Sequence, residues 1–201
     1  MLSRWGFVLL AAGGSTRMGE PKQLLRLENR TLLRRAVDEA LAVKVWPVVV
    51  VLGSHASQLR AELAPLPVQV AENPNWAEGM ASSIQMGLKT LERFSTTLDG
   101  TIIGLCDQPY LSARHLNALL DAQRLTGKPL AACRYAEKLG PPALFSRRFF
   151  PELFALSDAE GARAVLARHA ELVAPIDAPE LVIDLDTPAD YRDFLSRNRP
   201  T

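Results

Sequence analysis

Residues 10–25 read LAAGGSTRMGEPKQLL, and how this stretch is read decides the fold. It follows directly on the apolar run Phe7–Leu10. An apolar run passing into a glycine-rich, charged turn marks a buried strand giving way to a loop at the ligand edge of an α/β sheet. The loop is neither of the two common phosphate loops. Gly14 and Gly19 have the P-loop interval, but Glu20 and Pro21 follow where Lys and Ser/Thr are required. Gly13, Gly14 and Gly19 also miss the intervals of the dinucleotide pattern G-x-G-x-x-G. Pro21 biases Glu20 away from helix, so the loop is expected to run extended over the sheet edge. Gly13 and Gly14 allow backbone N–H groups to approach a ligand closely. Arg17 offers a planar fork and Lys22 a compact charge, a pairing suited to phosphate. The plainer alternative is a solvated basic loop.

Outward from this stretch, short apolar runs alternate with helical patterns. WGFVLL (5–10), WPVVVVLG (46–53), VQVAEN (68–73), GTIIGLC (100–106) and PLAACRY (129–135) read as buried strands. ELVAPID (171–177) and LVIDLDT (181–187) are strand-like. TLLRRAVDEALAV (31–43) places Leu33, Ala36, Val37, Ala40 and Leu41 on one helical stripe. HASQLRAELA (55–64), GMASSIQMGLKTLERF (79–94) and SARHLNALLDAQRL (112–125, Ser112 as N-cap) continue the helical series. SRRFFPELFAL (146–156) and DAEGARAVLARHA (158–170) follow, and PADYRDFLSR (188–197) closes it with Pro188 in the first turn. KLGPPALF (138–145) reads as a loop. The βαβα order predicts an α/β, doubly wound, mostly parallel sheet, in one domain over residues 1–201.

Composition narrows the function classes. A chain of 201 residues with 48% hydrophobic content can bury a core of its own. Lys+Arg 23 against Asp+Glu 22 argues against a nucleic-acid surface while leaving room for a local basic pocket. Cys106 and Cys133 sit in apolar runs, as buried reduced thiols do, which fits the cytoplasm. The apolar core Phe7–Ala12 is shorter than the ~7–15 residues of a signal peptide. No run reaches the ~18–20 residues of a membrane span, so no membrane association is expected. His55, His115 and His169 lie in helical segments and read as surface or packing residues.

Ligands of such sheets bind beyond the carboxyl ends of the strands. Asp107 in CDQP closes a buried run there and suits a hard cation; a turn cap is the ordinary alternative. Asp184 and Asp186 alternate with apolar residues and are expected on one strand face. Asp186 could equally cap the last helix, and Asp190 reads as a first-turn charge. With Asp107, Asp184 and Asp186 supply two separated carboxylate sources, and Mg²⁺ beside substrate phosphates needs only one or two. In NPNWAEGMASSIQMG, Gly79 precedes a helix whose start, with the Ser82 or Ser83 hydroxyl, could receive part of a nucleotide.

These pieces, in this order, resemble the nucleotidyltransferases that build dinucleotide forms of molybdopterin, the cytidylyl branch above all. The superfamily signature LAAG-x-S/G-x-R-M-G-x-x-K stands here as LAAGGSTRMGEPK. The further elements are NPNWAEGMASS, CDQP, GPPALF, GARAVL and DLDTPAD, so the resemblance spans residues ~7–194. It implies a Rossmann-like fold of the nucleotide-diphospho-sugar transferase (glycosyltransferase-A) type. It implies transfer of CMP from CTP to a molybdopterin-type cofactor with release of diphosphate. Ala11, Ala12, Gly13 and Gly14 would line the nucleotide, Arg17 and Lys22 would hold its phosphates, and Gly79, Ser82 and Ser83 would contact base or ribose. Asp107 and Asp186 match the acidic metal positions. The alternatives are a guanylyl or sugar/alditol-phosphate transferase, or a pterin carrier that meets a molybdoenzyme through Gly140–Ala170.

Overall fold

The computed structural model describes residues 4–157 and 160–198. The chain begins with β1 (Trp5–Ala11), every residue of which is buried. A small hairpin, β2 (Arg26–Leu27) and β3 (Arg30–Thr31), leads into α1 (Leu32–Leu41). Then come β4 (Val48–Leu52), α2 (Ala56–Leu63), β5 (Gln69–Glu72), α3 (Met80–Phe94) and β6 (Gly100–Leu105). The second half runs α4 (Ala113–Thr126), β7 (Leu130–Tyr135), β8 (Lys138–Ser146), α5 (Phe150–Phe154), α6 (Ala162–Arg168), β9 (Val173–Asp177) and α7 (Pro188–Arg197). Residues 158 and 159, the start of the predicted helical segment 158–170, lie outside the described residues.

Seven strands form one sheet in the order β5-β4-β1-β6-β8-β7-β9. All neighbours pair parallel except β8, which runs antiparallel between β6 and β7. Alternate residues of β1 feed two cores. Phe7 and Leu9 join Leu33, Leu59 and Leu116 on one face, while Val8 and Leu10 join Ile84, Leu153 and Val165 on the other. Burial on both faces explains why the central strands are continuously apolar. The chain reverses direction across the sheet between β1 and β6, so the crevice beyond their carboxyl ends is the natural place for a ligand.

Two expectations are corrected. KLGPPALF is strand, not loop: it forms β8 and hydrogen-bonds to both neighbours. Its prolines, which cannot donate to a ladder, fall where the register jumps from Ala132↔Ala143 to Cys133↔Gly140. Pro141 and Pro142 therefore occupy a bulge and break no pairing. LVIDLDT, conversely, is not a strand. Pro179–Val182 is a 3₁₀ turn, and the chain then crosses the ends of the strands without pairing. Leu181 and Leu185 are buried and Ile183 half-buried, with Val182 and Asp184 exposed, so the apolar alternation is kept and only a partner strand is missing among the described residues. Asp184 and Asp186 consequently share no strand face.

Thr187 caps α7: its side chain accepts from Asp190 N, and the Asp190 carboxylate accepts from Thr187 N. That reciprocal pair lowers the Asp190 pKa and makes Asp190 a cap partner as well as a first-turn charge. It also leaves Asp186 free of capping duty. Thr187→Ala should destabilise the protein by about 1 kcal/mol, the usual worth of an N-cap. Urea unfolding measures this, and an unchanged midpoint would remove the cap from the account of how this segment is held.

Candidate active site

The loop after β1 is built by its own polar residues. Gln23 is 2% exposed, and its Nε2 donates to the Ala11 and Gly13 carbonyls at 3.0 Å each. Ser15 Oγ donates to Gln23 Oε1 at 3.3 Å and accepts from Lys22 N at 3.0 Å. Met18 is buried, and the amides of Met18 and Gly19 donate to Ser15 O. The expected extended run is therefore a compact turn followed by a 3₁₀ turn, Lys22–Leu24. Satisfying the loop's carbonyls internally costs less than stretching them across an apolar edge.

This turn delivers Lys22 to the middle of the crevice. Its Nζ donates to Asp107 Oδ2 and Asp186 Oδ1, each at 2.7 Å. Burial works to lower the Lys22 pKa; the two carboxylates outweigh it and the net shift is upward. Arg17 stands outside this pair, 4.0 Å from Asp186 Oδ2, with its side chain 78% exposed. Asp107 Oδ1 is buried and has no hydrogen-bond partner among the described residues. Backbone placement helps the convergence, since Leu185 N donates to Asp107 O at 3.2 Å and ties the segment bearing Asp186 to the end of β6.

The opposite wall comes from the turn before α3. Asn73, buried at the end of β5, donates from Nδ2 to Ser82 Oγ (2.8 Å) and Ser83 Oγ (3.0 Å), and its Oδ1 accepts from Asn75 N. Ser82 Oγ in turn shares its proton between the Asn75 and Gly79 carbonyls. The Ser82 hydroxyl is thus engaged in bracing the turn. Gly79 has φ 138°, a conformation that side chains rarely adopt. Trp76 lies against Gly14, where a Cβ would come within 2.9 Å of the indole.

A pocket of about 370 Å³ opens between these walls. It brings together the predicted Ala11, Ala12, Gly13, Gly14, Lys22, Gly79, Ser83 and Asp107, and adds Gln23, Trp76 and Met80. A second depression of about 260 Å³ holds Gly13, Ser15, Thr16, Arg17, Lys22 and Asp186. Lys22 and Gly13 border both. Arg17 and Asp186 sit on the second depression only, and Ser82 lines neither. Gln23 and Asn73 escape sequence reasoning because a buried amide carries no periodic signal; Asn73 is marked only by its place after β5 and Gln23 by its place beside Lys22. Trp76 stands inside a quoted motif but declares its role only through the contact with Gly14.

Cys106 and Cys133 are buried free thiols, as expected. Burial, with Asp107 nearby, pushes the Cys106 thiol far up, and burial with Glu180 pushes Cys133 up to about 12. The histidines have packing roles: His115 completes the cap of α4 and meets Glu180, and His169 meets Glu152. Among the described residues no helix is long and apolar enough to cross a membrane.

Asp184 is the acid that sequence left open. Partial burial, then Asp107, then Asp186 raise its pKa from 3.8 to about 6. Between pH ~4 and ~6 the folded state therefore holds a proton that the unfolded chain releases, so stability falls as pH rises through that window. Asp184→Asn should raise the melting temperature at pH 7.5, measured without divalent cation, and the gain should fade at pH 4. An equal change at both pH values would mean that the Asp184 charge is not strained.

The MobA-like NTP transferase domain family matches residues 7–173. The purine catabolism protein PucB of Bacillus subtilis is 32% identical over 197 residues, 92% of each chain. The molybdenum cofactor cytidylyltransferase of Escherichia coli is 24% identical over 189 residues, again 92% of each chain. The crystal structure of Rv0371c from Mycobacterium tuberculosis superposes with a TM-score of 0.84 at 31% identity, covering 98% of this chain and 100% of that one. A structure of that protein described as a complex with manganese gives 0.77 at 28% identity, with coverage of 98% and 100%. The fold is that of the glycosyltransferase-A-like nucleotidyltransferases.

Proposed function

The chain belongs to the MobA-like NTP transferase family, and on that premise we propose that it transfers CMP from CTP to a molybdopterin-type cofactor, releasing diphosphate. The observation that carries the reading is the meeting of Lys22, Asp107 and Asp186 at the edge of a pocket floored by residues 11–14 and walled by residues 76–83. The whole chain, 1–201, works as one transferase domain in the cytoplasm, a setting that suits its two free cysteines. Similarity to the Escherichia coli cytidylyltransferase along nearly the full chain supports the choice of CTP and acceptor.

The reaction forms a bond between an acceptor phosphate oxygen and the α-phosphorus of the nucleotide. The bond from that phosphorus to the α–β bridging oxygen breaks, and diphosphate leaves with the electron pair. The attacking oxygen is already anionic, so no strong base is required. The chain's task is to bring two polyanions together in line and offset the charge that develops. Backbone N–H groups around Gly13 and Gly14 receive phosphates at close range, as the open space at Gly13 allows. Lys22, at the border of both depressions, reaches the phosphates and exchanges a carboxylate partner for them. Arg17, exposed at the rim, engages the leaving diphosphate.

Magnesium is the proposed metal, held by Asp107 and Asp186. The chemistry of the donors fits it, since Asp107 Oδ1 is a hard, buried oxygen with no partner among the described residues. When bound, the ion supplies further neutralisation of phosphate charge. The manganese complex of the Mycobacterium tuberculosis relative supports a hard divalent cation.

Mixing wild-type protein, Mg²⁺ and molybdopterin with CTP should release diphosphate faster than with GTP. Faster release with GTP would make it a guanylyl enzyme, release with a sugar or alditol phosphate would move the acceptor, and binding without release would leave a carrier. Lys22→Ala should cost ~2–4 kcal/mol of transition-state stabilisation and slow CTP and GTP alike, because phosphates are common to both. Base choice belongs instead to Ala11–Ala12 and Glu78–Ser83, of which Ala11, Ala12, Gly79, Met80 and Ser83 line the pocket. A Lys22→Ala enzyme with unchanged kinetics contradicts the phosphate role. Asp107→Ala should abolish turnover while melting near the wild-type temperature; retained activity would take Asp107 out of the mechanism.

A further inference from the structure

The nucleotide pocket lies to one side of Asp107, and the other side is built by β7, β8 and α6. Because β8 runs antiparallel, its first residues and the last residue of β7 share the sheet edge at which β6 ends, two residues before Asp107. Arg163 of α6 reaches onto this wall. Its Nη2 donates to Tyr135 Oη at 2.8 Å, and its guanidinium carbon lies 5.5 Å from the centroid of the Tyr135 ring. Its Nε lies 2.7 Å, and its Nη2 3.0 Å, from where a Cβ on Gly140 would stand, so the guanidinium rests on bare backbone. Tyr135 is itself fixed, donating to Pro141 O at 2.8 Å and accepting from the buried Gln108 at 3.3 Å.

The result is a planar cation held in one place yet exposed to solvent. Its hydrogen bond to Tyr135 uses one of the five guanidinium N–H groups. Arg163 makes no ion pair among the described residues, and Asp184 lies within electrostatic reach without closing on it. A surface arginine serving only to pack would not need its fork open, nor a glycine beneath it. Preorganised guanidinium forks suit bidentate phosphate recognition.

We propose that Arg163 binds the phosphate monoester of the acceptor, the group whose oxygen attacks. The proposal rests on the transferase reading above. In-line transfer requires the acceptor phosphate on the side of Asp107 away from the nucleotide. Lys22 and Arg17 serve the nucleotide side, so a separate cation must offset the approach of a second polyanion. Arg163, seated on Tyr135 and Gly140, meets that need where KLGPPALF and GARAVL carry no other assigned ligand.

Two measurements on the full chain test it. In steady-state assays with molybdopterin, Arg163→Ala should raise the acceptor KM about tenfold to a hundredfold, the range for a lost hydrogen bond to a charged group, with the CTP KM within about twofold. Arg163→Lys should recover part of the loss, since it restores charge without the fork. Independently, methyl phosphate titrated into ¹⁵N-labelled wild-type protein should shift the Arg163 Nε–H resonance, and Tyr135→Phe should weaken that response. If wild type does not use molybdopterin, the choice of acceptor fails, and the methyl phosphate titration still decides the role of Arg163. An unmoved Arg163 resonance, or equal losses in acceptor and CTP affinity together with a lowered melting temperature, would overturn the proposal.

Discussion

The arrangement of the crevice depends on one ammonium group placed between two carboxylates. Lys22 comes from the first loop, Asp107 from the end of the central strand and Asp186 from the segment before the last helix. Lys22 and Asp107 keep only 15% and 23% of their side-chain exposure, so solvent screens their attraction weakly. Removing Lys22 would leave two carboxylates facing each other without a counter-charge, whereas removing Asp107 leaves Lys22 still paired with Asp186. The bridge adds a side-chain link between three parts of the chain far apart in sequence, and it holds them at the mouth of the pocket.

Around this bridge, neutral polar side chains fix the loops. Gln23 anchors the backbone of residues 11 and 13, Asn73 clamps the start of α3, and Gln108 donates to Tyr135, Pro141 and Leu181. Each is nearly fully buried and sits within three residues of a strand end or of Lys22. Amides suit this place because they satisfy several backbone carbonyls without bringing a charge that would compete with phosphate. A site held this way is oriented before substrate arrives, and orientation is the larger part of what phosphoryl chemistry asks of a protein.

The antiparallel β8 divides the crevice. To one side of Asp107, parallel strands and α3 make the pocket lined by Trp76 and Met80. To the other, the returning strand brings Gly140 beside Tyr135 and leaves a backbone floor on which Arg163 lies. Lys22 and Arg17 thus stand by one side of the crevice and Arg163 by the other. The bulge at Pro141 and Pro142 belongs to the same device, for it gives Tyr135 and Gln108 a carbonyl to share.

Sequence by itself determined the class of fold, the positions of six of the seven sheet strands, all but β8, and the loops carrying Gly13, Lys22, Gly79 and Asp107. Those features rest on local causes: apolar periodicity, glycine and proline chemistry, and the rule that charged residues after buried strands face the crevice. Tertiary structure decided the rest. It made KLGPPALF a strand, because neighbours on both sides pair with it and a bulge removes its prolines from the ladder. It left LVIDLDT without a partner strand among the described residues, its backbone instead meeting the loop after β6 through Leu185 N and Asp107 O. It alone placed Lys22 against Asp186, 164 residues away, and engaged the Ser82 hydroxyl in bracing the turn before α3. Contacts between residues so far apart depend on how whole elements pack, and no local pattern records that.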